Sequence, residues 1–362
     1  MTLTQHVRNG WYLGAWSDEI GRTLTQRWIT DIPVCFYRLP DQTVTAVEDR
    51  CPHRKYPLSL GHLDDEGTLQ CDYHGYRFDG QGVCVGVAEQ ADRPKAALRR
   101  FPLVERDGAI WIWPGDPELA DESLLPDTSW LTDAGWTHVH GVVPLKARHM
   151  LLLENLLDLT HETFLHPTTI GNAAVAATPI DVTVDGDRVS FSRHMIGIEA
   201  PPFYEKSCGL TSPVDRWQDG DFYPPGIFIL NIRVAATGTE EPEGFHMKVL
   251  YGLTPGRGNE THDFYALGRD YLIDDQELTK FQHEQQLAVM QEDVDALEAQ
   301  EIMYATDPGG KAESSIKSDL AALRGRRAVA KMLAREQREQ HEQGEQSKQQ
   351  GARIPRSRTA SV

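Results

Sequence analysis

Four residues in the first quarter of the sequence place thiolate and imidazole ligands in two short segments. Cys51 and His53 stand in "CPHRKYPLSLG", and Cys71 and His74 stand in "CDYHGYRFDGQGVC". A Cys-x-His pair is thus followed, after seventeen intervening residues, by a Cys-x-x-His pair. Cysteine and histidine are the usual protein ligands of zinc and of iron–sulfur clusters. The spacing therefore predicts a metal centre gripped by two loops.

The order of the ligands distinguishes between these two kinds of metal centre. Structural zinc sites commonly pair cysteine with cysteine and histidine with histidine. Here each segment carries one ligand of each type, which favours a [2Fe–2S] cluster with cysteines on one iron and histidines on the other. Pro52 and Gly75 fit tight backbone turns around an inserted cluster.

A second set of possible ligands lies in "ENLLDLTHETFLHP", residues 154–167. Asp158 and His161 are three residues apart and would share one face of a helix. His166 lies five residues after His161, which on a regular helix would turn it roughly 140° away. Because Pro167 disfavours the helical conformation at the preceding residue, we expect the helix to end or distort there and to bring the two rings together. On an undistorted amphipathic helix these histidines would simply face solvent.

A mononuclear iron that activates oxygen typically takes two histidines and one carboxylate on one face. The downstream stretch "LAVMQEDVDALEAQ" offers Glu292, Asp293 and Asp295. On a helix, the residues three and four positions away from Asp293 are all apolar, whereas those around Asp295 are mostly polar. A carboxylate in an apolar stripe is costly unless it is paired or bound to metal. We therefore predict Asp293 as the third ligand, ahead of its two neighbours.

The elements that must position these residues divide the chain into two predicted domains. Residues 1–115 alternate short β-branched and aromatic segments with Gly, Pro and Asp, which predicts a small antiparallel β domain. Residues 116–340 alternate strand-like segments with helical ones at 148–165 and 275–303. That pattern predicts an α+β domain with one antiparallel sheet and packed helices.

The C-terminal part of the sequence is predicted to contain one more helix and a tail. The segment 320–340 has the apolar spacing of a terminal helix. The Gln- and Glu-rich segment 341–362 is predicted to be disordered because it has too few apolar residues to bury.

Composition and charge exclude several classes of function. Of 362 residues, 40% are hydrophobic and 25% are charged, which is ordinary for a soluble globular protein. No apolar run approaches the roughly 20 residues of a membrane span, and the start lacks an export signal, so we expect a cytoplasmic protein without membrane contact. The net charge of −18 argues against nucleic-acid binding. Five cysteines in such a chain favour reduced or metal-bound thiols over disulfides.

On these motifs the sequence resembles the Rieske non-haem iron aromatic-ring oxygenases. Their ferredoxin domain carries C-x-H and C-x-x-H with a gap of similar length, and their catalytic domain carries D-x-x-H-x4-H followed far downstream by an aspartate. The sequence is most similar to vanillate O-demethylase oxygenase subunits, through "NGWYLGAW", "NLLDLTHETFLHPTTIG", "APPF", "PVDRWQ" and "QEDVDALEAQE". The resemblance implies an all-β Rieske [2Fe–2S] domain followed by an α+β catalytic domain of the helix-grip type.

The resemblance also implies a role for each candidate residue. The four residues of the two loops would hold one [2Fe–2S] cluster, and His161, His166 and Asp293 would hold one mononuclear Fe(II). Asp158 would connect this iron to a Rieske histidine of a neighbouring subunit, usually within a homotrimer. Its acceptor oxygens could also hold the second ring N–H of a ligating histidine. Asn155, one turn earlier, would support the same face.

The implied activity is that of a terminal oxygenase that inserts one atom of its co-substrate O2 into an aromatic substrate. The leading hypothesis is O-demethylation of a methoxylated aromatic acid with release of formaldehyde. The alternatives are a ring-hydroxylating, methyl-hydroxylating or N-demethylating oxygenase and, outside the enzymes, a Rieske electron carrier. Because the sequence has no G-x-G-x-x-G motif, electrons from NAD(P)H are expected through a separate flavin and iron–sulfur reductase, which an acidic surface would help to dock.

The substrate pocket is the least determined part of the sequence. In "IFILNIRV", residues 227–234, strand alternation places Asn231 and Arg233 on one face, where they would line the pocket and orient a carboxylate or phenol. The same face could equally be turned to solvent. Tyr251, on the next strand-like segment, is a further predicted pocket residue.

Overall fold

The computed structural model describes residues 6–211, 213–240, 243–307 and 313–352, the last ten of them by their backbone only. Its N-terminal part consists of three small antiparallel sheets, with strand orders β1-β10-β9, β2-β3-β4 and β5-β6-β7-β8. These strands are β1 Tyr12–Trp16, β2 Thr25–Ile29, β3 Ile32–Arg38, β4 Val44–Glu48, β5 His62–Leu63, β6 Leu69–Gln70, β7 Tyr76–Phe78, β8 Cys84–Val87, β9 Leu103–Arg106 and β10 Ala109–Ile112. The predicted all-β N-terminal domain is confirmed.

The second part of the chain forms one seven-stranded antiparallel sheet in the order β11-β17-β16-β15-β14-β13-β12. Its strands are β11 Thr137–Leu145, β12 Asp181–Asp185, β13 Arg188–Ile198, β14 Val214–Tyr223, β15 Ile227–Ala236, β16 Phe245–Pro255 and β17 Thr261–Arg269. The helices are α1 His149–Leu157, α2 Glu162–Leu165, α3 Ala173–Ala177, α4 Pro202–Cys208, α5 Gln276–Thr306 and α6 Leu320–Ala352. This confirms the predicted α+β architecture of a sheet with packed helices.

Each face of the large sheet has its own apolar core. The first core joins α1, α5 and α6 to inward-facing side chains such as Leu230 and Val249. The second joins the opposite face, through Ile229 and Phe264, to tryptophans of the N-terminal domain such as Trp111. Because helices cover one face and the N-terminal domain covers the other, the central strands are apolar on both faces.

Helix α6 corrects the prediction for the C-terminus. A helix was expected to end near residue 340 and to be followed by a disordered tail at 341–362, but α6 continues to Ala352. The reason is that Gln, Glu and Lys, which make residues 341–352 polar and repetitive, are also strong helix formers. Residues 353–362 lie outside the described part of the chain. Within that part, no helix has the length and apolarity needed to cross a membrane.

Two buried histidines meet where the N-terminal segment packs against the start of α1. The rings of His6 and His149 lie 5.2 Å apart in an edge-to-face arrangement. The Nδ1 atom of His149 has no hydrogen-bond partner, and burial lowers the pKa of this residue to about 3. Asp31, 3.5 Å from His6, and Arg8 are the charged groups that act on His6.

We expect the protein to lose stability on mild acidification because of His149. Its pKa is lower in the folded than in the unfolded protein, so its contribution is present above about pH 6.5 and is lost as the pH falls towards 3. At pH 5 the loss amounts to about 2 kcal/mol of the free energy of unfolding. Urea unfolding of the wild type and of His149→Phe at pH 7.5 and pH 5 measures this loss of stability. An equally large pH effect in the variant would contradict this assignment.

Candidate active site

The two cysteine loops of the N-terminal domain have the same backbone design. In each loop, the cysteine N–H donates to the carbonyl five residues later, and the N–H four residues later donates back to the cysteine carbonyl. The distances are 2.8 Å for Cys51 to Tyr56 and for Lys55 to Cys51, and 2.8 and 2.9 Å for Cys71 to Tyr76 and for Gly75 to Cys71. Lys55 and Gly75 both have positive φ, 62° and 74°, which lets each loop turn back sharply.

The loops bring the four predicted cluster ligands together in pairs. Cys51 and Cys71 are buried next to each other, and the ring centroids of His53 and His74 are 4.5 Å apart. Burial, with Cys71 beside it, raises the pKa of the Cys51 thiol to about 11, so a thiolate at Cys51 requires a compensating cation. The Nδ1 atom of His53 is buried without a hydrogen-bond partner. Buried sulfur ligands and an unsatisfied imidazole nitrogen fit a [2Fe–2S] cluster.

The outer edge of the cluster loops is open to solvent. His74 is exposed, His53 is half-buried, and the ring of Tyr76 stacks on His53 at 4.8 Å. A cluster held here would lie close to the surface on its histidine side, where electrons can enter and leave.

The segment that carries the second set of ligands is broken twice, and the prediction of one helix over 148–165 is wrong. Helix α1 ends at Leu157, and Asp158 leaves the helical conformation with φ −124° and ψ 84°. The Asp158 carboxylate then accepts the N–H of Thr160 at 3.0 Å and begins a 3-10 turn that contains His161. The second break, at His166, has φ −116° and ψ 40° and is the one that Pro167 predicts. An aspartate can cap a new turn in mid-helix, which apolar periodicity does not reveal.

The two breaks bring His161 and His166 to one point, where Asp293 of α5 meets them. A ligand atom from each of the three residues lies within 4.8 Å of the others. The Oδ1 atom of Asp293 is 3.5 Å from Nε2 of His161 and 3.2 Å from Nε2 of His166. Asp295, by contrast, is exposed and accepts a hydrogen bond from Gln291.

The charges around His161, His166 and Asp293 favour a bound cation. The Nε2 atom of His166 is buried and has no hydrogen-bond partner, although it faces the Asp293 carboxylate. Burial by itself lowers the pKa of His166, but Asp293 and Glu292 outweigh it and raise the pKa above its ordinary value. Two imidazoles and one carboxylate that converge on one point could hold a mononuclear iron and leave positions open for other ligands.

Neighbouring groups fix the orientation of each ring and of the carboxylate. The Nδ1 atom of His161 is 2.8 Å from the backbone carbonyl oxygen of Asp158, and that of His166 is 2.6 Å from the Glu292 carboxylate. The Asn155 amide donates to Asp293 Oδ1 at 2.9 Å. With their Nδ1 atoms engaged, both rings direct Nε2 towards the centre of the site.

We expect Glu292→Ala to weaken iron binding by about 10- to 100-fold because His166 loses the group that orients it. Anaerobic Fe(II) titration of metal-depleted protein measures this change. Gln291→Ala, an exposed neighbour on the same helix, is the matched control. Unchanged iron affinity in Glu292→Ala would show that the ion pair with His166 has no orienting role.

The Asp158 carboxylate is not one of the groups that converge with His161, His166 and Asp293. Its oxygens could have held a ring N–H of a ligating histidine, but the backbone carbonyl of Asp158 lies at Nδ1 of His161 instead. The carboxylate accepts hydrogen bonds from the Thr160 N–H at 3.0 Å and the Ser318 hydroxyl at 3.2 Å. Asp158 is half-buried and lines a surface groove that also reaches His161. A polar group of another molecule could reach Asp158 there.

A cavity between the sheet and the helices is bordered by His161, His166 and Asp293. Its apolar lining consists of Leu156, Leu159, Ile170, Phe203, Leu230, Ile232, Met247, Val249, Leu267 and Val289. Apart from the three converging side chains and Asn155, the polar lining consists of Glu162, Tyr204, Tyr251, Gln285 and Gln286. Gln286 donates to the Tyr251 hydroxyl at 3.1 Å. Such a mainly apolar pocket with a few polar groups at one place is typical of a small-molecule site.

Tyr251 thus lines the cavity, but Asn231 and Arg233 do not, which corrects the prediction for β15. Their strand neighbours Leu230 and Ile232 point into the cavity instead. The guanidinium of Arg233 donates to the backbone carbonyls of Thr239, Glu240 and Glu243 and lies 4.0 Å from the Trp217 ring centroid. Both faces of this strand carry apolar residues, so alternation alone could not show which face the helices cover.

Glu162 is the site residue that sequence reasoning missed. It is a charged residue in the ligand segment, where a carboxylate would ordinarily face solvent, yet only 2% of it is exposed. It pairs with Arg216, whose exposure is 0%, and accepts a hydrogen bond from Gln218. The motif "PVDRWQ" contains both partners, but nothing in its spacing links them to Glu162.

Comparison with known proteins agrees with this architecture. Residues 10–102 match the Rieske [2Fe-2S] domain, and residues 145–335 match the vanillate O-demethylase oxygenase C-terminal domain. The chain is 34% identical to a vanillate O-demethylase oxygenase subunit of Pseudomonas sp. strain HR199, over 91% of this chain and 96% of that one. It is 35% identical to the oxygenase component of dicamba O-demethylase of Stenotrophomonas maltophilia, over 90% of this chain and 97% of that one.

Solved structures give the same relationship. The crystal structure of dicamba monooxygenase bound to dicamba superimposes with a TM-score of 0.87 at 34% identity, over 92% of this chain and 99% of that one. Another structure of that enzyme is described as containing non-haem iron and dicamba. The predicted family, enzyme class and cofactors are thereby confirmed. The chain belongs to the vanillate O-demethylase oxygenase family and is the terminal oxygenase of a Rieske monooxygenase, with one [2Fe–2S] cluster and one mononuclear iron.

Proposed function

We propose that this oxygenase O-demethylates a methoxylated aromatic acid. Hydroxylation of the methoxy carbon gives a hemiacetal, which collapses to a phenol and formaldehyde. The overall reaction converts the methoxy compound, O2, two electrons and two protons to the phenol, formaldehyde and water. The observation that carries the proposal is that His161, His166 and Asp293 border an apolar cavity between sheet and helices. Relatives named as vanillate and dicamba O-demethylases support the choice of substrate class.

The proposal assigns the metal ligands as follows. Cys51, His53, Cys71 and His74 hold the [2Fe–2S] cluster, and His161, His166 and Asp293 hold the mononuclear iron. When bound, the cluster supplies single electrons and the iron activates O2 for attack on a C–H bond. Asn155 and Glu292 keep the ligands in place through their hydrogen bonds to Asp293 and His166.

The cavity is proposed to bind the substrate through its shape and through neutral polar groups. Apolar side chains surround an aromatic ring and exclude water from the reacting carbon. Burial raises the pKa of the Tyr251 phenol, so its hydroxyl stays protonated and, with Gln286, can hydrogen-bond a carboxylate or phenol oxygen. In the described part of the chain, neither Lys nor Arg lines this cavity. An anionic group would therefore be held by hydrogen bonds and not by an ion pair.

Electron delivery is proposed to require a second copy of the chain. In a homotrimer, a cluster histidine of the neighbouring subunit would contact Asp158 at the outer groove. Two features support this assembly: the groove has an exposed apolar rim that includes Met303, and His74 lies at the surface of the N-terminal domain. A separate flavin and iron–sulfur reductase would pass electrons from NAD(P)H to the cluster. The proposed location is the cytoplasm, where NAD(P)H is available.

A substrate panel tests the proposal. We expect formaldehyde and a phenol from a methoxylated aromatic acid, with one O2 consumed per formaldehyde, when a surrogate reductase and NADH are supplied. Methylated and unsubstituted aromatic acids are the matched comparisons. Hydroxylation of these compounds without formaldehyde from any methoxy substrate would favour a ring- or methyl-hydroxylating enzyme, and formaldehyde from N-methyl substrates alone would favour an N-demethylase. Cluster reduction without O2 uptake on any of these compounds would overturn the proposed substrate class.

A further inference from the structure

The inference concerns the buried ion pair between Glu162 and Arg216, and it rests on the iron ligands proposed above. Glu162 lies in the short segment between His161 and His166. Its two carboxylate oxygens have separate partners: Oε2 accepts from Arg216 Nη2 at 2.9 Å, and Oε1 accepts from Gln218 Nε2 at 2.8 Å. Both partners lie on β14, so one strand of the sheet holds this side chain from two sides.

Arg216 also holds the chain on the other side of His166. Its Nη1 donates to the backbone carbonyl of Ile170 at 2.9 Å, and its Nη2 donates to the Tyr204 hydroxyl at 2.9 Å. The guanidinium lies 4.4 Å from the centroid of the Tyr204 ring. One fully buried cation therefore contacts the ligand segment both before and after His166, at Glu162 and at Ile170.

The backbone between these two contacts is folded tightly. The N–H of Gly171 donates to the carbonyl of His166 at 3.0 Å. A Cβ atom at Gly171 would lie 1.8 Å from the backbone oxygen of Glu162 and 3.0 Å from that of His166. Residues 162–171 thus form a closed turn whose ends touch each other, and Arg216 lies against it.

Stability by itself does not account for an ion pair in this position. Burying two charges costs solvation free energy that their attraction only partly returns, and apolar residues of similar volume often stabilise a fold equally well. A planar guanidinium with five donors, however, fixes geometry at several acceptors at once. A site that must hold two imidazoles at one point gains from such rigidity.

We propose that Arg216 and Glu162 form a clamp that sets the relative position of the His161 and His166 rings and thereby the affinity of the site for iron. Gln218 completes the clamp on the Glu162 side. These are positioning residues, because they act on the metal through the two histidines.

The test uses variants of the full-length protein with the [2Fe–2S] cluster intact and with the mononuclear iron removed by chelation. We expect Glu162→Gln to weaken Fe(II) binding by about 10- to 100-fold in anaerobic titrations. The visible absorption and circular dichroism of the cluster should not change, which shows that the N-terminal domain is intact. Asp221→Asn, which breaks the partly exposed ion pair with Arg188 that also involves β14, should bind iron as the wild type does.

A second variant separates positioning from stability. Glu162→Gln leaves the Arg216 charge buried and unpaired, which is costly, so the double variant Glu162→Leu with Arg216→Met removes both charges together. We expect it to melt near the wild-type temperature and still to bind iron more weakly. Wild-type iron affinity in this double variant would overturn the clamp, whatever Glu162→Gln does. If Asp293→Ala also keeps iron at wild-type affinity, the failure lies in the ligand assignment and not in the clamp.

Discussion

Asp158→Asn should stop turnover while both metal centres stay in place. Product formation is expected to fall at least about 100-fold because the proposed contact between the outer groove and a neighbouring cluster histidine loses its negative charge. The fold should tolerate the change, since asparagine also accepts the Thr160 N–H and is as good a capping residue as aspartate. Iron and acid-labile sulfide analysis measures the metal content, and formaldehyde assays measure turnover.

The control for Asp158→Asn is Asp187→Asn, a carboxylate that does not line the groove and pairs with Arg335 at 3.4 Å. It should leave both metal content and turnover unchanged. Cluster reduction by dithionite should proceed normally in Asp158→Asn, and only transfer to the second site should fail. A loss of mononuclear iron that parallels the loss of activity would instead make the Asp158 carboxylate a ligand or a determinant of the ligand geometry.

Asp293→Ala should remove the mononuclear iron and leave the cluster intact. The wild type is expected to contain about three irons and two sulfides per chain, and the variant about two of each. Without the carboxylate, two imidazoles remain, and the Asn155 amide loses its acceptor. Activity should become undetectable, although the cluster spectrum is unchanged.

Asp295→Ala is the matched control because this carboxylate lies two residues further along α5 and is exposed. It should retain about three irons per chain and full activity. Wild-type iron content in Asp293→Ala would mean that another carboxylate, with Glu292 the nearest to His166, supplies the third ligand. Loss of iron from both variants would point to damage of the helix and not to loss of a ligand.

The cluster loops could be predicted almost completely from the sequence because their ligands are local. Each Cys–His pair lies within four consecutive residues, and each loop is closed by its own backbone hydrogen bonds. The sheet only has to bring the two loops face to face. The resemblance to a known family then added the identity of the cluster, which comparison with known proteins supports.

The second site was predictable in part. Pro167 indicated the break at His166, and the apolar neighbours of Asp293 distinguished it from Asp295, which is indeed exposed. The break at Asp158 was not anticipated, because an internal cap competes with a helix through a single hydrogen bond. The choice of Asn231 and Arg233 for the pocket failed because β15 is buried on both faces, one of them against the N-terminal domain.

The sequence by itself determined which side chains can bind metal, because ligand chemistry and short spacings are properties of neighbouring residues. It also determined that two domains of different architecture follow each other. Only the tertiary structure decided which group orients each ligand and which strand face forms the cavity. The contacts concerned join residues far apart in the chain: Glu162 and Arg216 are separated by 54 positions, His166 and Glu292 by 126, and Asn155 and Asp293 by 138. Such pairs meet through the packing of the sheet against its helices, which no local pattern encodes.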